Sequence, residues 1–172
     1  MPSRAPSSSL ATHEVTNQPP PLPDHNLFDC DAILRQALQR EGAGWAEKNV
    51  RDFGAILGCE HAAELARAAN RFPPELRTFD RFGQRIDEVV YHPAYHELMH
   101  LATSHQVHSI AWTAGKSGGH VAHMALEYLL VQVDAGVCCP ITMTYASIPP
   151  LSRDPTIAGE WKPRVLASAY DP

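Results

Sequence analysis

Residues 133–147, Val133-Asp134-Ala135-Gly136-Val137-Cys138-Cys139-Pro140-Ile141-Thr142-Met143-Thr144-Tyr145-Ala146-Ser147, decide how the chain folds. An apolar stretch from about His120 to Ala135 runs into Gly136, and a second apolar segment leaves from Pro140. In the first stretch Val121, Met124, Ala125, Tyr128, Leu129, Val131 and Val133 make a helix apolar on most of its sides. Such a helix belongs at the centre of a domain. Glycine ends it, and proline is tolerated at the start of the next segment because a first-turn N–H has no helical partner anyway. The remaining elements are expected to lie around this joint.

Upstream, Asp29 or Asp31 is a good N-cap for a helix carrying Ile33, Leu34, Ala37 and Leu38 on one side and stopped by Gly42 and Gly44. A second helix is expected from Trp45 to Leu57 with Gly58 as terminator, and a third from Glu60 to Asn70 before Pro73-Pro74. Residues 76–82 and 85–91 then flank Gly83 as a small β-hairpin, which is marginal alone and is expected to lie against the helices. His92-Pro93 restarts a helix to Thr103 or His105, and a weaker helical segment covers Val107 to Thr113. Residues 1–26 are Pro- and Ser-rich and read as an extended arm, because proline fixes φ and lacks a donor. From Leu151 onward prolines recur without periodicity. The expected organisation is an arm (1–26), a helical domain (27–152) and an irregular linker (153–172).

The chain has 172 residues, enough for one domain with its own core, and a formal net charge of −5. That charge disfavours direct nucleic-acid binding and attachment to an anionic membrane, both of which need a positive face. No run approaches the roughly 20 apolar residues of a membrane helix, and no hydrophobic segment follows Arg4 as a secretory signal would require. Cys30, Cys59, Cys138 and Cys139 form no Cys-x-x-Cys pair and read as free thiols of a reducing compartment. A cytoplasmic protein is expected.

Two strings carry apparent chemistry. His96-Glu97-Leu98-Met99-His100 matches H-E-x-x-H, in which two histidines one helical turn apart share a zinc and the glutamate activates the bound water. The extended form of that motif would need glycine where Thr103 stands and histidine where Gln106 stands; Glu127 on a later helix is the remaining candidate third ligand. Histidines on an amphipathic helix explain the string without metal. Gly115-Lys116-Ser117 evokes a phosphate loop, but Ile110 occupies the position of the earlier glycine, so a helix-to-helix turn is expected. No nucleophile motif and no G-x-G-x-x-G fingerprint is present.

Five ordered segments, residues 40–45, 70–80, 91–94, 107–112 and 132–144, together resemble one family. The chain is similar, from about Asn17 to Asp171, to the N-terminal helical domain of AidB-type (adaptive response) acyl-CoA dehydrogenases. The resemblance implies a mainly α fold, an acyl-CoA dehydrogenase N-terminal-domain-like helical bundle with one small hairpin and an extended N-terminal arm. It implies a parent protein with a following β domain that grips FAD and a C-terminal helical domain supplying the catalytic glutamate, and an oligomeric assembly. No position of this chain matches the flavin-binding or catalytic residues, so none is carried over and no cofactor is expected on this chain alone. The segment after the long helix, Cys139, Pro140, Ile141, Thr142, Met143 and Thr144, is implied to face the acyl-chain pocket; packing between domains would account for it equally. Where the family usually has glutamate, this chain has Asp134. Two rival readings stand beside it: a small zinc hydrolase using His96, Glu97 and His100, and a stand-alone interaction module. A domain built to pack against others is expected to expose apolar surface and to self-associate when isolated.

Overall fold

The computed structural model describes Thr12 and residues 16–172. Helix α1 (Ala32–Arg40) starts where Asp31 accepts a hydrogen bond from the Leu34 N–H at 2.8 Å, and the chain leaves it through Gly42 at φ +77°. Leu38 points into the core, but Ile33 is 81% exposed, so the apolar periodicity of α1 does not end in a wholly buried stripe. A 3₁₀ turn (Gly44–Ala46) leads into α2 (Glu47–Leu57), which buries Val50, Phe53 and Leu57. Helix α3 (Glu60–Arg71) is capped from outside: the arm residue Asp24 accepts the Glu60 N–H at 2.8 Å. The arm, as far as it is described, thus lies along its own domain; its residues 1–11 and 13–15 are outside the described part.

Strands β1 (Glu75–Phe79) and β2 (Arg85–Val90) pair antiparallel, with Leu76 opposite Val89 and Arg77 opposite Glu88. The register shifts between Arg77 and Phe79, where Asp87 stands at φ +47°, the mark of a bulge. Asp80 closes the turn by accepting from the N–H groups of Phe82 and Gln84, with Gly83 at φ +81°. The expectation that the hairpin lies against the helices is corrected here. Leu76, Phe79, Phe82, Ile86 and Val89 are all exposed, because large side chains stand on both faces and two strands cannot bury both.

Helix α4 (Pro93–Ser104) begins with Pro93 and the His92 ring, whose Nδ1 accepts the Ala94 N–H at 3.1 Å. Helix α5 (Ile110–Thr113) is one turn. The Gly-Lys-Ser loop that follows is a packed joint. The Trp45 indole donates to the Ser117 carbonyl at 2.8 Å, Lys116 lies over the Trp45 ring, and a Cβ placed on Gly118 would stand 2.6 Å from the Gly42 oxygen.

Helix α6 (Gly119–Val131) is central as expected, with Ala122, Ala125, Leu126, Leu129 and Leu130 in the core. It ends before Ala135, and Met124, Tyr128 and Val131 form an exposed stripe on its outer side. Helix α7 (Cys138–Ala146) begins two residues ahead of Pro140, which therefore sits in its first turn without losing a helical bond. A short α8 (Ile148–Leu151) follows.

The last segment, expected as irregular linker, contains helix α9 (Pro155–Val165). Asp154 caps it by accepting from the Thr156 and Ile157 N–H groups at 2.8 and 3.2 Å, and Pro155 is its first residue. The prolines that suggested irregularity are a start signal and, at Pro163, a residue near the helix end. Beyond α9 the chain is held by hydrogen bonds: His108 Nε2 donates to the Ala167 carbonyl at 3.0 Å, and Tyr170 hydroxyl meets His96 Nδ1 at 2.7 Å. No helix among the described residues is long and apolar enough to cross a membrane.

Candidate functional site

The joint between α6 and α7 is built on one buried carboxylate. Asp134 is only 4% exposed. One of its oxygens accepts the Val137 N–H at 3.0 Å just ahead of α7; the other accepts the Asn70 amide at 2.7 Å, tying α3 to the joint. The Asn70 amide also donates to the Ala66 carbonyl at 2.8 Å. A single aspartate thereby ties α3 to the turn between α6 and α7.

The six residues expected to face an acyl chain do not share one surface. Cys139, Thr142 and Met143 point outward from α7, Met143 being 65% exposed. The Thr142 hydroxyl donates to the Glu127 carboxylate on α6, so the outward face of the pair is braced. Ile141 is buried in the core. Pro140 lines a cavity of about 330 Å³ with Asn70, Phe72, Tyr91, His92, Tyr95 and Asp134. Thr144 hydrogen-bonds back to the Pro140 carbonyl and, with Ile141, borders a second cavity of about 320 Å³ closed by α9.

Burial shifts two titratable groups near this joint toward their neutral forms. Burial pushes the Cys138 thiol up to about 12, with the Glu127 and Asp134 carboxylates adding to it, so it is no nucleophile. Burial lowers the His108 imidazole below its ordinary range, against the opposing bond to Ala167. His123 is buried and stacked on Tyr145 at 3.8 Å; its Nδ1–H donates to the Val107 carbonyl at 2.7 Å, and its Nε2 faces Glu127 at 3.8 Å.

The residues of the H-E-x-x-H string do not converge on one point. His96 holds Tyr170, Glu97 accepts from His61 on α3 at 2.7 Å, and His100 is exposed. Glu127 is engaged with Thr142 and His123. No group of three histidine, cysteine or carboxylate side chains able to hold a metal occurs among the described residues. Sequence reasoning does not reach the Asn70–Asp134 link or the aromatic lining of the Pro140 cavity. The recurrence of Phe72, Tyr91, His92 and Tyr95 around the hairpin base is the one signal that points to that lining.

Residues 17–172 match the family model described as the adaptive response protein AidB N-terminal domain. Over 162 residues the chain is 43% identical to the Escherichia coli (strain K12) protein named acyl-CoA dehydrogenase AidB, covering 93% of this chain and 30% of that protein. The chain thus spans about a third of that relative's length. Among solved structures, the apo form of Bd2924 superposes with a TM-score of 0.79 at 24% identity, over 91% of this chain and 32% of that one. Caenorhabditis elegans ACDH-11, solved in complex with C11-CoA, superposes with a TM-score of 0.71 at 20% identity, over 97% of this chain and 30% of that one. At these identities the two structures establish the fold.

Proposed function

The chain belongs to the family of adaptive response protein AidB N-terminal domains, and from that membership we propose that it acts as the N-terminal helical part of an AidB-like, FAD-dependent acyl-CoA dehydrogenase. The observation that carries this reading is the match over nearly the whole chain to about a third of a relative bearing that name. In this reading the chain is not catalytic alone. It forms a wall of the acyl-substrate cleft and contributes contacts to an oligomer, while flavin binding and proton abstraction belong to the remaining domains.

The cavity between the arm and α3 does not fit FAD. A dinucleotide needs donors for its pyrophosphate. That cavity, about 910 Å³, places Pro21, Leu22, Leu57 and Ala63 beside Cys59. Its one guanidinium, Arg67, is already taken by Glu60 at 2.5 Å. What this chain supplies is an outward α7 face of Cys139, Thr142 and Met143, continuous in character with the apolar stripe Met124–Tyr128–Val131 of α6. Such a face suits a fatty acyl chain or the domain that encloses one. Pro140, Ile141 and Thr144 lie behind it.

The test uses the chain with and without a separate polypeptide carrying the flavin and C-terminal domains of the Escherichia coli relative. We expect no bound flavin absorbance for the chain alone and acyl-CoA-dependent dye reduction only in the mixture. Stoichiometric yellow flavin on the isolated chain would overturn the assignment of the cofactor to other domains.

A further inference from the structure

The 330 Å³ cavity beside Pro140 combines groups that the acyl-cleft reading does not use. It lies between the end of α3, the base of the hairpin, the start of α4 and the α6–α7 joint. Phe72, Tyr91, His92 and Tyr95 give it four aromatic rings, arranged as two stacked pairs: Phe72 with His92 at 5.0 Å and Tyr91 with Tyr95 at 4.3 Å. Asp134 and Asn70 supply its polar side. No lysine or arginine is among its lining residues.

We propose that this cavity binds a compact alkylated ammonium group, of which trimethylammonium is the model. Aromatic faces carry negative electrostatic potential and attract cations that shed water easily, as methylated ammonium does. Behind the rings stands a buried carboxylate whose two partners, the Asn70 amide and the Val137 N–H, are neutral donors. They give each oxygen one hydrogen bond, and among the described residues no cation pairs with its charge. A cation in the cavity does. The other titratable groups do not compete. His92 Nδ1 is engaged, accepting the Ala94 N–H at 3.1 Å. Burial, helped by the nearby phenols and by Asp134, raises the Tyr95 phenol, which therefore stays protonated. The Arg71 guanidinium stands 5.8 Å from the Phe72 ring centroid, so that ring already meets one cation. The volume is at the lower end of what small-ligand sites occupy, in keeping with a head group rather than a whole cofactor.

The experiment titrates the ¹⁵N-labelled 172-residue chain with tetramethylammonium chloride against sodium chloride at constant ionic strength, following the Gly136 amide and the Asn70 side-chain amide. The neutral isostere tert-butanol is titrated in parallel. We expect saturable shifts confined to residues around the cavity and at least roughly tenfold weaker binding of tert-butanol. Asp134→Asn should weaken tetramethylammonium about tenfold and Tyr91→Leu about fivefold. Should Asp134→Asn lose its dispersed spectrum, Tyr91→Leu, at the half-buried rim, decides by itself. Shifts that never saturate, equal binding of tert-butanol, or undiminished binding by the folded variants would each overturn the proposal.

Discussion

Replacing Gly118 by alanine tests the joint between the α1–α2 and α5–α6 loops. The backbone there has φ +77°, a conformation that costs an L-residue about 1–2 kcal/mol. The new Cβ would also meet the Gly42 oxygen at 2.6 Å and the Ala43 nitrogen at 2.9 Å, both backbone atoms that cannot swing away. Relieving that overlap costs about 1–3 kcal/mol by analogy with overpacked cores. The sum, about 3 kcal/mol, corresponds to a fall in Tm of roughly 6–12 °C for a domain of this size. Gly42 and Gly115 provide internal controls: both have positive φ, +77° and +61°, and neither has an atom within 4 Å of an added Cβ. Urea and thermal unfolding followed by circular dichroism should therefore place Gly118→Ala well below Gly42→Ala and Gly115→Ala, which lose the dihedral contribution alone. If all three variants lose the same amount, the close approach of the loops is not a source of stability and the reasoning fails.

Asp134→Ala leaves the buried Val137 N–H without its acceptor and releases the Asn70 amide from the joint, and a loss of about 1–3 kcal/mol is expected from chemical denaturation. Asn70→Ala shares the network, so the double variant should lose less than the sum. His108, lowered from its ordinary 6.5 by burial, binds its proton more readily in the unfolded chain; its contribution is complete above about pH 6.5 and is lost as pH falls toward the folded value. His105, also lowered by burial, acts in the same direction. His108→Gln can still donate to the Ala167 carbonyl and should flatten the loss of urea midpoint between about pH 7.5 and 5; an unchanged slope would assign the acid sensitivity elsewhere. An alkylating thiol reagent should label exposed Cys30 and Cys139 promptly and Cys138 only on unfolding, as read by peptide mass mapping.

Local chemistry was the legible part. Asp31 as a cap, Gly42 as a stop, Pro93 as a start and the pair of strands around Gly83 each act within a few residues, so the string carries them. Asp154-Pro155 is just as local a signal, but prolines recurring on either side of it read as linker and hide the helix it starts. The hairpin's lack of a bed could not be read, because alternating side chains say which face is apolar and not whether anything covers it. Ile33 fits the apolar rhythm of α1 and still faces out. The site was legible least of all. The Asn70–Asp134 bond spans 64 residues, and the partners that disperse His96 and Glu97 lie 74 and 36 residues away. Only the resemblance of five ordered segments to AidB-type domains reached a family, and the family match bears that out.

The uncovered hairpin has a thermodynamic consequence. A two-stranded ladder with no packed face is marginal by itself, so β1 and β2 form a unit that opens separately from the helical core. Their amide protons should exchange through local melting at rates set by the ladder, while those of α6 wait for global unfolding. The fulcrum of that opening is the pair of ring stacks at the hairpin base, Phe72 on His92 and Tyr91 on Tyr95. Each excursion of the hairpin thus loads the same four rings, and anything that clasps those rings together should slow exchange far out along the strands.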